Sequence, residues 1–322
     1  MIKYSIITPT YENPAELKIF LDSLTKAQKP GDFELIIVDD SRDDSVKKVI
    51  VEYTSLPIRY IKLKKYTFLC QKKNLGAKKA KNEIIIFMDS DLTVNANAIT
   101  LLIETMKNNP DIAMFAGKVM QDGRQLQPTK NDRILPKGSI HISEVQYGVF
   151  QATYKSIFNK VGGFDSIFEA HGEGSDLSIR YWRAGFPLGR NLSVIVHHPA
   201  FKPERAMASR IKQVYKTLLL IAYKYDIAPE LSPHLIEMYQ ERKEVYGETG
   251  EFNALYSFSS YFDWMKENYS DIAKSKKNVP NSFDFKPFDV FSNQKALDKC
   301  LKGSVEKIKP AYLKIFGGKK CV

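Results

Sequence analysis

The feature that most constrains the fold of this 322-residue chain is the alternation of short apolar strands with helical segments over its first half. The segment 33–38 is apolar except for Glu34, and the segment 84–88 is apolar throughout. Such runs are typical of strands buried on both faces. Between them, apolar residues recur at helical spacing from 14 to 27. This order predicts an α/β fold in which helices flank a mostly parallel central sheet.

The predicted strands and helices alternate in the first part of the chain, and helices predominate after about residue 205. We predict strands at 3–8, 33–38, 58–63, 84–88, 112–119, 145–153 and 192–196, and helices at 14–27, 43–53, 68–80, 96–107 and 176–184. Turns are expected at 121–124 and 161–165, and a loop at 129–139. Further helices are expected near 205–224, 231–246, 254–267 and 296–308. The sequence therefore predicts an α/β domain at 1–202 and a mainly helical C-terminal extension at 203–322.

Composition narrows the class of partner. A net charge of +11 favours an anionic partner, whether nucleic acid, a phosphate ligand or an acidic membrane surface. Three scattered cysteines do not form a disulfide framework or a zinc module, which fits a reducing compartment. The sequence shows no signal peptide and no apolar stretch near the roughly 20 residues of a membrane span. We expect a cytoplasmic protein, with peripheral association at the inner face of the membrane as an alternative.

Carboxylates follow two of the predicted strands, where α/β sheets bind their ligands. Asp40 comes after the strand 33–38, and Asp89 and Asp91 leave the strand 84–88. Two carboxylates this close repel each other unless a cation joins them, and Mg²⁺ commonly takes one or two protein carboxylates together with phosphate oxygens. The alternative is that Asp89 caps the next helix or that both carboxylates are merely solvated. The first strand is followed by neither a dinucleotide fingerprint nor a P-loop.

Several motifs, in order along residues 3–200, resemble the GT-A nucleotide-sugar glycosyltransferases, and specifically the inverting family 2. They are Tyr4-Ser-Ile-Ile-Thr-Pro-Thr-Tyr11, Glu34-Leu-Ile-Ile-Val-Asp-Asp-Ser41, Lys72-Lys-Asn-Leu-Gly76, Asp89-Ser-Asp91, Val161-Gly-Gly-Phe-Asp165 and Glu173-Gly-Ser-Asp-Leu-Ser-Ile-Arg180. The resemblance implies that the α/β domain at 1–202 has the GT-A fold and binds a nucleotide-sugar donor.

The resemblance also implies roles at the nucleoside end of the donor. Tyr11 would stack on the base, with Thr8 and Pro9 lining that pocket and Glu12 beside them. Asp40 would accept a hydrogen bond from the imide N–H of uracil or thymine, and its alternative role is to cap the next helix.

Two further positions follow from the resemblance at the phosphate end. Lys73 would lie near the base or the phosphates, although a solvated lysine-rich helix face is the competing interpretation. Ser90, between the two aspartates, would belong to the same donor site.

A divalent metal, Mn²⁺ or Mg²⁺, is the cofactor that the resemblance implies. Asp91 would bind the metal and the diphosphate, and Asp89 the metal or the ribose. His197, after a late strand, would be a third ligand, and His198 is its competitor. Such a metal stabilises the negative charge of the departing nucleoside diphosphate.

The general base departs from the family pattern. An inverting transfer needs a base to deprotonate the acceptor hydroxyl, and the aspartate that usually supplies it is replaced here by Gly174. We favour Glu173 as the substitute. Asp176 is the alternative, with a helix N-cap as its structural role, and His171 is a third candidate. If none serves, the protein is a non-catalytic member of the family.

The sequence thus favours an inverting, metal-dependent glycosyltransferase that moves a sugar from a nucleoside diphosphate, UDP in the first place, to a glycan or lipid-linked saccharide in cell-surface polysaccharide synthesis. A sugar nucleotidyltransferase would need a glycine-rich phosphate loop after the first strand, which is absent. A nucleic-acid-binding protein is the alternative from another class, but the acidic strand ends would repel phosphate without a metal. The oligomeric state, the sugar and the acceptor do not follow from the sequence.

Overall fold

The computed structural model describes most of the first 199 residues and isolated parts of the remainder. The described residues are 3–27, 33–125, 133–134, 140–143, 148–169, 171–199, 216–217, 220–221, 224–225, 264 and 267–277. The predicted loop at 129–139 lies almost entirely outside these ranges, as do the boundary near residue 202 and the predicted helices 231–246 and 296–308.

Helices and strands alternate in the described part as the sequence predicts. The strands are β1 (Tyr4–Thr10), β2 (Phe33–Asp39), β3 (Ile58–Lys62), β4 (Ile84–Met88), β5 (Thr93–Val94), β6 (Met114–Gln121), β7 (Arg124–Gln125), β8 (Arg133–Ile134), β9 (Ile140–Ile142), β10 (Phe150–Tyr154) and β11 (Leu188–His197). The helices are α1 (Pro14–Ala27), α2 (Ser45–Ile50), α3 (Leu69–Lys79), α4 (Ala98–Asn108), α5 (Lys155–Lys160), α6 (Glu173–Arg183) and α7 (Tyr269–Lys277).

The described strands form one mixed sheet in the order β3-β2-β1-β4-β10-β6-β11-β9-β8, with β5 paired to β11 and β7 to β6. The first four strands of this order are parallel, and β10 runs antiparallel between β4 and β6. The register pairs Thr10 with Asp39 at the carboxyl ends of β1 and β2. The residues that follow β1, β2 and β4 therefore meet at one edge of the sheet.

Most predicted element boundaries are confirmed within a few residues, and the larger differences have local causes. Helix α2 begins at Ser45 rather than at 43, because the Asp43 side chain accepts hydrogen bonds from the Ser45 backbone and hydroxyl in a turn before the helix. Strand β11 begins at Leu188, earlier than predicted. Its early residues include buried Arg190 and Asn191, whose polarity hides the strand from an apolar pattern.

Helix α3 lies close against the sheet because it carries Gly76. A Cβ atom at this position would lie 2.3 Å from Cγ2 of Ile7 in β1, so no larger residue fits without movement. Gly76 thereby sets how closely the lysines of this helix approach the strand ends.

Gly76→Ala is expected to lower the free energy of unfolding by about 1–2 kcal/mol, because overpacking a well-packed contact costs about 1–3 kcal/mol. Alanine is otherwise the better helix former by up to about 1 kcal/mol. Urea denaturation measures the change. The control is Lys78→Ala on the exposed face of the same helix, expected within about 0.5 kcal/mol of the unmodified chain. Equal stability of Gly76→Ala and the unmodified chain would contradict the tight contact.

Some described residues beyond position 203 contact residues that precede it in the chain. Lys224 Nζ lies 2.6 Å from Asp165 Oδ2 and 2.6 Å from Asp176 Oδ1, and the Ser275 hydroxyl donates to Asp165 Oδ2 at 2.5 Å. Within the described residues, no helix is long and apolar enough to span a bilayer.

Candidate active site

The candidate site lies at the sheet edge where β1, β2 and β4 end. Asp40 directly follows β2 and is buried, and its carboxylate is held from two sides. Lys72 Nζ donates to Asp40 Oδ1 at 2.6 Å, and the Thr67 backbone N–H donates to Oδ2 at 2.7 Å. Lys72 also donates to the Thr10 carbonyl at 3.1 Å, which ties α3 to the end of β1. Each carboxylate oxygen can accept a second hydrogen bond, but the Asp40 side chain has no exposed area, so a ligand could reach it only after a local rearrangement.

Tyr11 follows β1 and lies beside Lys72, whose Nζ is 5.8 Å from the centre of the Tyr11 ring. The Tyr66 ring lies edge-on to it, with centroids 5.5 Å apart and an interplanar angle of 83°. Phe68 in turn lies edge-on to Tyr66 at 5.7 Å. Three aromatic rings therefore group next to Asp40, two of which the sequence motifs did not indicate.

The other residues expected at the nucleoside end lie on or next to β1. Thr8 and Pro9 are inside the strand and buried, and the Thr8 hydroxyl has no hydrogen-bond partner among the described residues. Glu12 has a positive φ of 46° and lies 3.3 Å from Arg42 in an exposed ion pair. The Glu12 N–H donates to the Ser41 hydroxyl, which joins the turns after β1 and β2.

Asp89, Ser90 and Asp91 follow β4, on the far side of β1 from Asp40. Asn13 donates to the Ser90 hydroxyl at 2.8 Å, so this turn is fixed to the one after β1. One carboxylate oxygen of Asp91 is buried with no hydrogen-bond partner among the described residues. Burial, followed by the negative charge of Asp89, raises the pKa of Asp91. A cation at this position would relieve both costs.

The two histidines after β11 differ in their surroundings. His198 Nε2 lies 3.5 Å from Asp91 Oδ2, whereas His197 is exposed and pairs through its backbone with Thr93 of β5. His197 is the last residue of β11, and His198 follows the strand. The structure therefore places His198, the competitor of His197, next to the acidic turn.

Lys73 connects the acidic turn to Glu173. Its side chain is fully buried, and Nζ lies 3.2 Å from Asp89 Oδ1 and 3.8 Å from Glu173 Oε1. Nζ also donates to the Gly148 carbonyl at 2.8 Å. Burial disfavours the ammonium, but the two carboxylates outweigh burial and raise the pKa of Lys73.

This geometry overturns the interpretation of α3 as a solvated lysine face at two of its positions. Lys72 and Lys73 are buried and paired with carboxylates, and the exposed lysines are Lys78, Lys79 and Lys81. The physical reason is helical periodicity: Lys73 shares its face with Cys70 and Ala77, which lie against the sheet.

Glu173 is the first residue of α6, after Gly172 with φ of 82°. Its side chain is 9% exposed, and burial raises the pKa of Glu173 against the lowering effect of Lys73. Gly148 lies directly over it, with φ of 61°, and a Cβ atom there would approach Glu173 Oε1 to 2.8 Å. Glu173 therefore combines a raised pKa with a position separated from Asp89 by the Lys73 ammonium group.

Asp176 is engaged in a buried ionic cluster. It is not the helix cap, because α6 begins three residues earlier. Its Oδ2 accepts from Arg180 at 2.9 Å, and its Oδ1 lies 2.6 Å from Lys224 Nζ and 2.7 Å from the Tyr225 hydroxyl. Burial opposes ionisation, but the charges of Arg180 and Lys224 hold the pKa of Asp176 below its ordinary value. The exposed His171 contributes a carbonyl that accepts from Thr217.

Comparison with known proteins identifies the family. A family model described as glycosyl transferase family 2 matches residues 5–166. The dolichol-phosphate mannosyltransferase of Pyrococcus furiosus is 26% identical over 178 residues, covering 55% of this chain and 49% of that protein. The poly(ribitol-phosphate) β-N-acetylglucosaminyltransferase TarP of Staphylococcus aureus is 33% identical over 150 residues, covering 45% of this chain and 44% of that protein. The matches thus span about half the length of these curated relatives.

Solved structures agree on the fold. S. aureus TarS superposes with a TM-score of 0.56 at 14% identity, covering 88% of this chain and 55% of that chain. A structure of GalNAc-T7 with UDP, GalNAc and Mn²⁺ superposes with a TM-score of 0.57 at 14% identity, covering 88% of this chain and 59% of that chain. At this identity the likeness concerns the fold. Together with the family match over residues 5–166, it shows that the chain belongs to glycosyl transferase family 2 and has the GT-A fold.

Proposed function

We propose that this chain is an inverting, metal-dependent glycosyltransferase that moves a sugar from UDP to a hydroxyl group of a glycan or a lipid-linked saccharide. The observation that carries the proposal is the short path from Asp89 through the buried Lys73 to Glu173, over 3.2 and 3.8 Å. A carboxylate suited to bind a metal–diphosphate and a carboxylate suited to accept a proton are separated by one ammonium group.

The donor would bind along the sheet edge. The base lies on the Tyr11 side, where the Asp40 carboxylate accepts the imide N–H of uracil. The diphosphate lies on the Asp91 side. UDP is present in a solved structure of TarS residues 1–349, which covers 97% of this chain and 85% of that chain with a TM-score of 0.54 at 14% identity. That neighbour supports UDP as the first donor nucleotide to test.

The residues present suit a divalent cation. Asp91 has a buried carboxylate oxygen without a hydrogen-bond partner among the described residues, and Asp89 and His198 lie beside it. In the described residues no three such side chains are arranged to hold a metal ion by themselves, but Mg²⁺ sites commonly complete their shell with phosphate oxygens and water. A bound metal would stabilise the negative charge that develops on the departing diphosphate.

Glu173 would act on the acceptor. The acceptor oxygen attacks the anomeric carbon in line with the bond to the diphosphate, that bond breaks, and the nucleoside diphosphate leaves with its electron pair. Glu173 takes the proton of the attacking hydroxyl. One in-line displacement inverts the configuration at the anomeric carbon.

Relatives named as chondroitin synthase, hyaluronan synthase and poly(ribitol-phosphate) glycosyltransferases support an acceptor in cell-surface polysaccharide synthesis. The test of the function is a donor screen that measures release of nucleoside diphosphate from a panel of UDP-, GDP- and dTDP-sugars with Mn²⁺. UDP-N-acetylhexosamines belong in the panel because of the relatives' names. Binding of UDP without turnover of any donor, with or without saccharide acceptors, would instead favour the non-catalytic family member.

Removal of the metal is expected to abolish UDP binding. EDTA should eliminate the UDP-induced rise in melting temperature, and added Mn²⁺ should restore it. Asp91→Asn is expected to weaken UDP binding in Mn²⁺ at least about tenfold, since a charged ligand to the metal is lost. The control is Asp122→Asn in the exposed β6–β7 turn. A UDP-induced shift that is unchanged in both EDTA and Asp91→Asn would contradict the metal site.

A further inference from the structure

Tyr66 is an exposed aromatic residue beside the proposed nucleobase pocket. Its side chain is 62% exposed, which makes it one of the three large hydrophobic residues of the described part that are exposed to this degree. Single exposed apolar side chains are common on protein surfaces, so the position of this ring matters more than its exposure. The Tyr66 ring lies edge-on against Tyr11, the residue proposed to stack on the base.

The backbone next to Tyr66 is fixed by the Asp40 carboxylate, the group proposed to bind the N–H of the base. The Thr67 N–H donates to Asp40 Oδ2 at 2.7 Å, and the Thr67 hydroxyl donates to the Lys65 carbonyl at 3.0 Å. Phe68, the N-cap residue of α3, also packs edge-on against the Tyr66 ring. The ring is therefore held in place by local contacts although it is exposed.

The relative orientation of the two tyrosines defines a corner. Their planes are 83° apart, so a base that stacks flat on the Tyr11 ring is nearly perpendicular to the Tyr66 ring. An edge-to-face contact between a base and a tyrosine is a favoured arrangement of aromatic rings.

We infer that Tyr66 is the second wall of the nucleobase pocket and contributes affinity for the base of a nucleoside diphosphate. The inference rests on the proposed function and adds to it a binding residue that no sequence motif indicates. Asp40 reads the N–H of the base, whereas Tyr66 contacts the ring itself, so Tyr66 acts on any planar base rather than selecting uracil.

Calorimetric titration with UDP and Mn²⁺ tests the inference in the full chain. Tyr66→Ala is expected to raise the UDP Kd about tenfold, within the range of base–aromatic contacts, and Tyr66→Phe to leave it within about twofold. Val51→Ala, which truncates an equally exposed side chain (62%) after α2, is the control. Because Tyr66 is exposed, all three variants should keep the melting temperature of the unmodified chain.

A second ligand separates a contact with the base from an indirect effect. The 5,6-dihydro-uracil analogue of UDP has a saturated ring and loses aromatic contacts. The unmodified chain should prefer UDP over this analogue, and Tyr66→Ala should reduce that preference severalfold. A purely structural role would leave the preference unchanged.

The outcomes distinguish the inference from the function beneath it. If Tyr11→Ala weakens UDP binding and Tyr66→Ala does not, the second wall is refuted while the donor site stands. Tighter UDP binding by Tyr66→Ala would refute it too and mark Tyr66 as an obstruction. If the unmodified chain binds none of UDP, GDP and dTDP with metal, the proposed function itself fails, and the pocket with it.

Discussion

Glu173→Gln is expected to lower kcat about a thousandfold while leaving the Kd for UDP within about twofold, because a general base contributes about 10²–10⁴ to the rate. Glutamine keeps the size of the side chain but cannot take a proton. The measurement is the initial rate of sugar transfer, with UDP binding followed separately by calorimetry. Glu104→Gln on the exposed face of α4 is the matched control and should keep full activity.

The pH profile gives a second readout of the same substitution. Burial raises the pKa of Glu173, and a base works only when deprotonated, so turnover should fall as the pH drops through that raised pKa. The acidic limb of the pH–rate profile should therefore lie above the ordinary pKa range of glutamate, and it should disappear in Glu173→Gln. A glutamine variant with unchanged kcat would remove Glu173 from the mechanism.

Asp176→Asn tests whether Asp176, rather than Glu173, is the general base. The Asp176 carboxylate compensates Arg180 and Lys224 inside the protein, so its neutralisation is expected to lower the melting temperature. Loss of turnover with full stability in this variant would instead assign the base to Asp176.

Lys73→Met is expected to destabilise the protein by about 3–5 kcal/mol, the usual cost of removing one partner from a buried ion pair. Lys73 is fully buried between Asp89 and Glu173, and methionine fills a similar volume without the charge. Since Lys73 lowers the pKa of Glu173, the substitution should also raise that pKa and leave less of the base deprotonated. Chemical denaturation measures the first effect and the transfer rate at neutral pH the second.

The control for this experiment is Lys78→Met, which removes an exposed lysine from the same helix and should be close to neutral. A pH series gives a test that does not depend on a well-folded variant at neutral pH. Protonation of Glu173, whose pKa is raised by burial, removes its need for an ammonium partner, so the stability gap between Lys73→Met and the unmodified chain should narrow as the pH falls. A gap independent of pH would show that packing rather than charge makes Lys73 necessary.

Much of the fold, and the acidic residues at the strand ends, could be predicted because they depend on local sequence patterns. The apolar runs at 33–38 and 84–88 marked β2 and β4, and the strand order brought Asp40 and Asp89 to one edge. The buried face of α3 was not predicted, although Lys73 recurs with Cys70 and Ala77 at helical spacing. The presence of several exposed lysines in the same segment concealed it.

Contacts between segments that are far apart in the sequence could not be predicted from local patterns. Gly148 lies close to Lys73 and Glu173. The Tyr66 ring packs edge-on against Tyr11, and Lys224 forms an ion pair with Asp176. No sequence spacing or motif indicates these contacts, because each one depends on the path of a loop back to the edge of the sheet. Likewise, the position of His198 next to Asp91 depends on the path of the chain after β11.

The sequence by itself determined the alternation of strands and helices and the acidic strand ends, because apolar periodicity and residue type are local properties of a chain. Only the tertiary structure decided which charges are partners. A buried lysine such as Lys73 is stable only where folding brings carboxylates to it, and the carboxylates that meet it, Asp89 and Glu173, come from distant points of the chain. The net positive charge was thus a property of the sequence, whereas the role of one particular ammonium depended on the fold.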